Sequence, residues 1–266
     1  LAIRHLAYYD AKLDESLSPQ LLNEEVLHLS FGKGTPLRYG ENSHQSATFY
    51  SEYCWGESSL ANAQQLWGKE LSFNNIVDAD AALEMIREFA GENAVAIIEH
   101  LNPCGLATGP TLDIAFEAAW DGDPVSAFGS VIACSSRIDI ATAKRLDKRF
   151  VEIILAPGYD DDALEFLKGK SKNLRILEVN TIEKPRARKV LKHVIGGLLV
   201  QDRDVQDIEK WECVTEIPFP QNKEKLAKFT WLVTKHTKSN AIVMCQEFQD
   251  GYYKILGLGP GQPNRI

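Results

Sequence analysis

The chain has 266 residues, 44% of them hydrophobic and 25% charged, with a formal net charge of -8 at pH 7. That is enough chain to bury one large core or two smaller ones, and the composition is that of an ordered protein. The acidic balance argues against a partner held mainly by phosphate neutralisation, such as duplex DNA, but allows a small anionic ligand gripped by a few local arginines.

Residues 1–30 read as helical, with a break at Ser18-Pro19. The stretch 31–44, FGKGTPLRYGENSH, is too polar and too broken for a regular element. Apolar residues at helical spacing predict a helix over 78–90, with an Asp at its start to cap the free N–H groups. The run Ala94-Val95-Ala96-Ile97-Ile98 predicts a buried strand ending in a loop over 99–109. A helix near 111–121, the loop DGDPVSAFGS and a strand over 131–134 follow. Next come a helix over 140–149, a strand over 151–155, a helix near 160–168 and a strand over 174–179. Strands alternating with helices imply a layered α/β domain. Residues 183–192, rich in Lys, Arg and Pro, read as exposed, and the strand-like GGLLVQ lies just beyond. Residues 211–221 read as a linker, after which a helix over 223–236 and a strand over 240–247 open a second unit ending in a Gly-rich loop from Gly257. The expected organisation is a helical join (1–30), a first α/β unit (31–210), and a linker with the truncated start of a second unit (211–266).

No apolar stretch is long enough to span a bilayer, and the first residues, LAIRHLAYYD, lack a signal-peptide layout. The cysteines at 54, 104, 134, 213 and 245 are widely spaced, mostly in apolar runs, and form no C-x-x-C pair. This is the pattern of reduced, buried thiols in a cytoplasmic protein rather than of disulfides or a zinc site.

Ligands of α/β sheets usually sit in loops beyond the carboxyl ends of strands, and four loops are expected there. The first runs from Leu37 to Gln45 and offers Arg38, Tyr39, His44 and two amides, a set suited to a phosphorylated or amide-bearing ligand; a polar turn capping its own backbone is the other reading. The second holds Glu99-His100-Leu101-Asn102-Pro103-Cys104-Gly105, where His100 is either a proton carrier or a strand-end histidine satisfied by carbonyls. The zinc-deaminase signature is missing here, because Ala107 stands where a second Cys is needed. The third, DPVSAFGS, joins Phe128, able to stack on a flat ring or simply to pack, with Gly129, which permits close backbone approach. The fourth combines Lys235-His236-Thr237-Lys238-Ser239-Asn240 with a Gly-rich turn ending in Arg265, a weak phosphate-cradle signal.

In order along the chain, LRYGENSHQ, LSFNNIVDADAA, IEHLNPCG, GDPVSAFGSVIA, EIILAPGYDDDALEFL, GGLLVQDRD, KHTKSNAIV and GLGPGQPNRI resemble consecutive segments of the AICAR transformylase region of a bifunctional purine-biosynthesis family. The resemblance covers the whole chain and implies a cytidine-deaminase-like layered α/β unit, with the start of a second such unit, in a cytoplasmic homodimer with active sites at the interface. It implies formyl transfer from 10-formyltetrahydrofolate to the 5-amino group of AICAR, without a catalytic metal. By position, Arg38, Tyr39, Asn75, Gly129, Glu152 and Arg265 would touch the AICAR ribotide, and Ala127 and Phe128 the reduced folate. His100 matches the histidine at the reacting amine, and Asn240 a residue orienting the carboxamide or the intermediate.

Two positions depart from the resemblance. Glu99 stands where the family usually has Lys, so a carboxylate occupies the place of an oxyanion-stabilising ammonium; Lys235 and Lys238 are the candidates to replace it. Ser43 replaces a usual Pro, which loosens its loop. The family also continues past the segment matching 262–266, and the cyclohydrolase module has no counterpart upstream. A non-catalytic module that binds the nucleotide and dimerises is therefore the alternative expectation, and a hydrolytic deaminase a more distant one.

Overall fold

The apolar run at 94–98 lies in the middle of the molecule, whose computed structural model describes residues 2–52 and 56–264. Strand β4 (Asn93–Glu99) buries side chains on both faces. Val95 and Ile97 join one hydrophobic cluster with Phe116 and Leu167, while Ala94, Ala96 and Ile98 join another with Leu83, Ile86 and Phe229. A strand covered on both sides has no solvent face, so its sequence shows no polar alternation. The first cluster is closed by helices α3 (Leu112–Trp120), α4 (Ile140–Arg145) and α5 (Asp161–Lys170), the second by α2 (Phe73–Arg87) and α6 (Glu224–Lys235). The chain is thus a layered α/β structure with helices on both sides of a sheet.

Among the described residues that sheet has eight strands, in the order β11 (Ile242–Gln249), β12 (Tyr252–Gly259), β5 (Asn102–Gly109), β4, β6 (Val131–Cys134), β7 (Ile153–Ala156), β8 (Arg175–Glu178) and β3 (Gln64–Trp67). β6, β7 and β8 are mutually parallel, whereas β4 and β3 run antiparallel to their neighbours β6 and β8. Register places Ile98 opposite Val131, Val131 opposite Ile153, and Ile153 opposite Arg175. One border of the sheet therefore carries the carboxyl end of β4 beside the amino ends of β6, β7 and β8. Two hairpins lie outside this sheet, β1 (Phe31–Pro36) with β2 (Thr48–Glu52) and β9 (Lys189–Val194) with β10 (Gly197–Asp202).

Several local expectations are corrected. Helix α1 (Ala2–Leu21) continues through Pro19 in its last turn instead of breaking at Ser18-Pro19. Residues 31–36, expected to be irregular, form β1. Helix α2 starts at Phe73 rather than near 78, because Ser72 and Asn75 form a capping box: Asn75 N–H donates to Ser72 Oγ, and Ser72 N–H to Asn75 Oδ1. Asp78 is therefore inside the helix rather than its cap. The segment after β4 is a tight hairpin rather than a loop over 99–109, since β5 pairs with β4 as far as Asn93 opposite Gly109. Gly257 and Gly259 lie within β12, which pairs with β11 and meets β5 at Lys254 opposite Ala107. Cys104 and Cys134 are buried as expected, but Cys213 is exposed; Cys54 lies outside the described residues. No described helix is long and apolar enough to cross a membrane.

Candidate active site

The β4–β5 turn carries His100. Glu99 pairs with Asn102, leaving His100 and Leu101 as a two-residue loop with φ of 50° and 65°. Such turns require left-handed backbone at both central positions, which Asn and Gly adopt most easily. His and Leu adopt it here with help from both flanks: Asp78 Oδ1 accepts the Leu101 N–H at 2.9 Å, and Asn102 Nδ2 donates to His100 O at 3.0 Å. The imidazole projects outward, 90% exposed, with Nε2 3.5 Å from Glu99 Oε1. It is turned away from the packed core.

Beneath this turn lies a cleft of about 500 Å³ whose walls include Glu99, His100, Asp123, Ser126 and Leu258. Cys104 also lines it, but burial, with help from Asp123 and Glu99, pushes that thiol up to about 12, so it is no nucleophile. Burial also raises the Glu99 carboxyl, with Asp78 and Glu152 adding to the effect and His100 opposing it. Gly105, in the same motif, has a packing role: a Cβ there would lie 2.2 Å from Ala119 O, so α3 could not sit on β5.

The DPVSAFGS loop forms the next wall. Asp123 Oδ2 accepts from Ser126 Oγ at 2.7 Å, and Asp123 Oδ1 from two backbone N–H groups, which fixes the turn. Gly129 has φ of 86° and donates its N–H to Phe150 O at 2.9 Å. Nothing crowds a Cβ there closer than 3.6 Å, so it is the positive φ that calls for glycine. Ala127 is buried, whereas Phe128 is 68% exposed beside Phe150, ring centroids 5.1 Å apart.

At the amino ends of the parallel strands, Glu152 Oε2 accepts from Asn75 Nδ2 at 2.9 Å and lies 3.5 Å from the Arg175 guanidinium. Arg38 stacks over the Tyr39 ring at 5.2 Å. Their loop is fastened to the start of α2, because Arg38 N–H donates to Leu71 O and Phe73 N–H to Tyr39 O. Burial lowers the pKa of Arg175; Glu152 and Tyr39 oppose this, and Arg38 reinforces it, so these four side chains share one electrostatic neighbourhood. Of the candidate residues, His100 follows the carboxyl end of β4 and Arg38 and Tyr39 that of β1. Gly129 and Glu152 precede parallel strands and meet His100 because β4 runs the other way.

The fourth loop closes against the same hairpin. Lys238 N–H donates to Asn102 Oδ1 at 3.2 Å, Gly261 N–H to Lys238 O at 2.7 Å, and Gln262 N–H to Asn240 O at 2.9 Å. Asn240 is thus tied to the His100 turn through Asn102. Arg265 lies outside the described residues. Lys235 is corrected as a substitute cation: its Nζ is 2.8 Å from Glu88 Oε1, beyond the carboxyl end of α2, whereas Asn75 stands at the opposite end. Lys238 keeps an exposed side chain on the turn beside Asn102.

Two residues of this neighbourhood were not singled out from sequence. Arg175, a charged residue inside an apolar strand, was the legible signal, since buried arginines are paired. Asp78 gave no signal beyond a capping role it does not play. A larger hollow of about 1190 Å³ elsewhere is walled by one stretch of chain, residues 211–221 with Glu224, and gathers none of these groups.

Comparison with known proteins shows the family. The family described as the AICARFT/IMPCHase bienzyme matches residues 1–266. The chain is 47% identical over its whole length to the bifunctional purine biosynthesis protein PurH of Lactobacillus delbrueckii subsp. bulgaricus, covering 52% of that protein. It is 45% identical to PurH of Halalkalibacterium halodurans and 46% identical to PurH of Bacillus cereus, with 99% of the chain and 51% of each relative aligned. The chain spans about half the length of the curated relatives it matches. It belongs to the AICARFT/IMPCHase bienzyme family.

Proposed function

We propose that this chain carries the formyl-transferring site of its family, moving a formyl group from 10-formyltetrahydrofolate to the 5-amino group of AICAR in purine biosynthesis. The observation that carries this reading is the convergence, on one border of the sheet, of an exposed imidazole with the amide, carboxylate and guanidinium cluster of Asn75, Glu152, Arg175 and Arg38. On this reading that border holds the nucleotide.

The amine of AICAR is aromatic and weakly nucleophilic, so its attack on the formyl carbon needs a base. His100 takes the amine proton as the C–N bond forms, a role worth roughly 100- to 10,000-fold. The tetrahedral intermediate carries negative charge on the formyl oxygen, to which the Asn240 amide and the Lys238 ammonium are the donors offered by this chain. Collapse breaks the bond to the tetrahydrofolate nitrogen, and the imidazolium returns its proton there. Arg38, with Arg265, is assigned to the ribotide phosphate, and Tyr39, Gly129 and Glu152 to the rest of the nucleotide. Phe128, exposed beside Phe150, offers a stacking surface to the flat ring of the reduced folate. The reaction needs no catalytic metal, and the working form is a cytoplasmic homodimer.

Calorimetry with AICAR followed by a turnover assay with 10-formyltetrahydrofolate tests the proposal. Binding with turnover supports it. Binding without turnover favours the alternative, a nucleotide-binding and dimerising module, to which Glu99 beside His100 lends its weight.

A further inference from the structure

The turn that presents His100 is unusual for its residues. Both His100 and Leu101 sit in left-handed backbone, at φ of 50° and 65°, without a glycine or asparagine to make that conformation cheap. Backbone of this kind persists only where surrounding contacts over-determine it. One of those contacts comes from another layer of the fold: Asp78, on helix α2, accepts the Leu101 N–H at 2.9 Å. Asp78 is one helical turn beyond Asn75, whose amide holds Glu152. The same helical face thus fixes the turn bearing the imidazole and the carboxylate at the foot of β7.

We propose that Asp78 is the positioning residue for His100: by anchoring the left-handed turn to α2, it sets where the imidazole stands relative to the Asn75–Glu152 pair. This rests on the reading of His100 as the proton carrier. Asp78 itself does not touch the reacting atoms; it acts through the backbone. The hydrogen bond needs an acceptor oxygen rather than a charge, so an amide at this position can do the same work. A glycine at 101 would remove the conformational penalty and make the anchor less necessary.

The test compares Asp78→Ala, Asp78→Asn and the double variant Asp78→Ala with Leu101→Gly in the full chain. Formyl transfer and hydrogen exchange at the Leu101 amide are read in each. Asp78→Ala is expected to lower kcat at least tenfold while KM for AICAR stays within about twofold, and to speed exchange at Leu101 but not at Ile97 inside β4. Asp78→Asn should keep kcat within about threefold of the parent, and Leu101→Gly should restore most of what Asp78→Ala loses. Equal losses in the Asn and Ala variants, or unchanged Leu101 exchange in Asp78→Ala, would overturn the proposal. Absence of turnover in the unaltered chain would count against the functional reading, and the exchange measurement would still decide whether Asp78 holds the turn. An Asp78→Ala chain that fails to fold leaves the decision to Asp78→Asn, whose loss of activity or of Leu101 protection overturns it.

Discussion

Asn75 Nδ2 and Glu152 Oε2 are 2.9 Å apart although 77 residues separate them in sequence. The asparagine is engaged at both ends of its amide, since its Oδ1 also receives the Ser72 N–H of the capping box. One side chain therefore both starts helix α2 and orients the carboxylate that ends the approach to β7. Glu152 in turn lies 3.5 Å from the largely buried Arg175.

This geometry predicts a combined effect for Glu152→Ala. Nucleotide affinity should fall by at least tenfold, and stability by about 1–2 kcal/mol, because the Arg175 guanidinium loses a half-exposed partner. Asn75→Ala should reproduce the affinity loss more weakly and cost about 1 kcal/mol through the lost acceptor for the Ser72 N–H. Calorimetry with AICAR and urea denaturation separate the two contributions.

Glu99 is expected to be dispensable for turnover. Glu99→Lys replaces a carboxylate beside the developing oxyanion with an ammonium, so formyl transfer should be preserved or raised; a collapse would give Glu99 a catalytic role of its own. Its pKa adds a stability prediction. Burial raises the carboxyl above the ordinary value of 4.5, so the ionised form is held at a cost to the folded state. That cost is full above the folded pKa and absent below 4.5. Glu99→Gln should therefore stabilise the chain at pH 7, with the gain vanishing towards pH 4, as read by urea midpoints at the two pH values.

Glu88 has the opposite sign. Burial works against its charge, but hydrogen bonds from His236 and Lys235 outweigh it and pull the carboxyl down to about 2. A depressed carboxyl contributes stability above the unfolded value of 4.5 and loses it as pH falls through about 2. Glu88→Gln should cost about 2 kcal/mol at pH 7. The gap between the two proteins should narrow as the pH falls from 5 towards 2.5, without loss of nucleotide affinity.

Much of the scaffold was legible because it depends on local pattern. The unbroken run at 94–98 marks a strand covered on both faces, and the alternation of strands and helices from 94 to 179 gives the layers directly. The errors fall where a distant partner decides. Nothing within the segment 99–109 shows that it folds back on β4, because the turn residues His100 and Leu101 are poor ones and the support comes from Asp78 on another element. The start of α2 was missed because Ser72 and Asn75 cap reciprocally, a pattern usually read with Glu or Gln in the second place. Candidate site residues are assigned by resemblance, whereas the shared border of His100, past the carboxyl end of β4, with Gly129 and Glu152, before β6 and β7, follows from the antiparallel insertion of β4, a topological fact that no local window contains.

The proton-carrying role of His100 is tested most directly by formyl-transfer turnover in His100→Ala, measured beside its affinity for AICAR. Loss of roughly 100- to 10,000-fold in turnover, with affinity within about threefold of the parent, is the predicted result. Turnover within tenfold of the parent would contradict it.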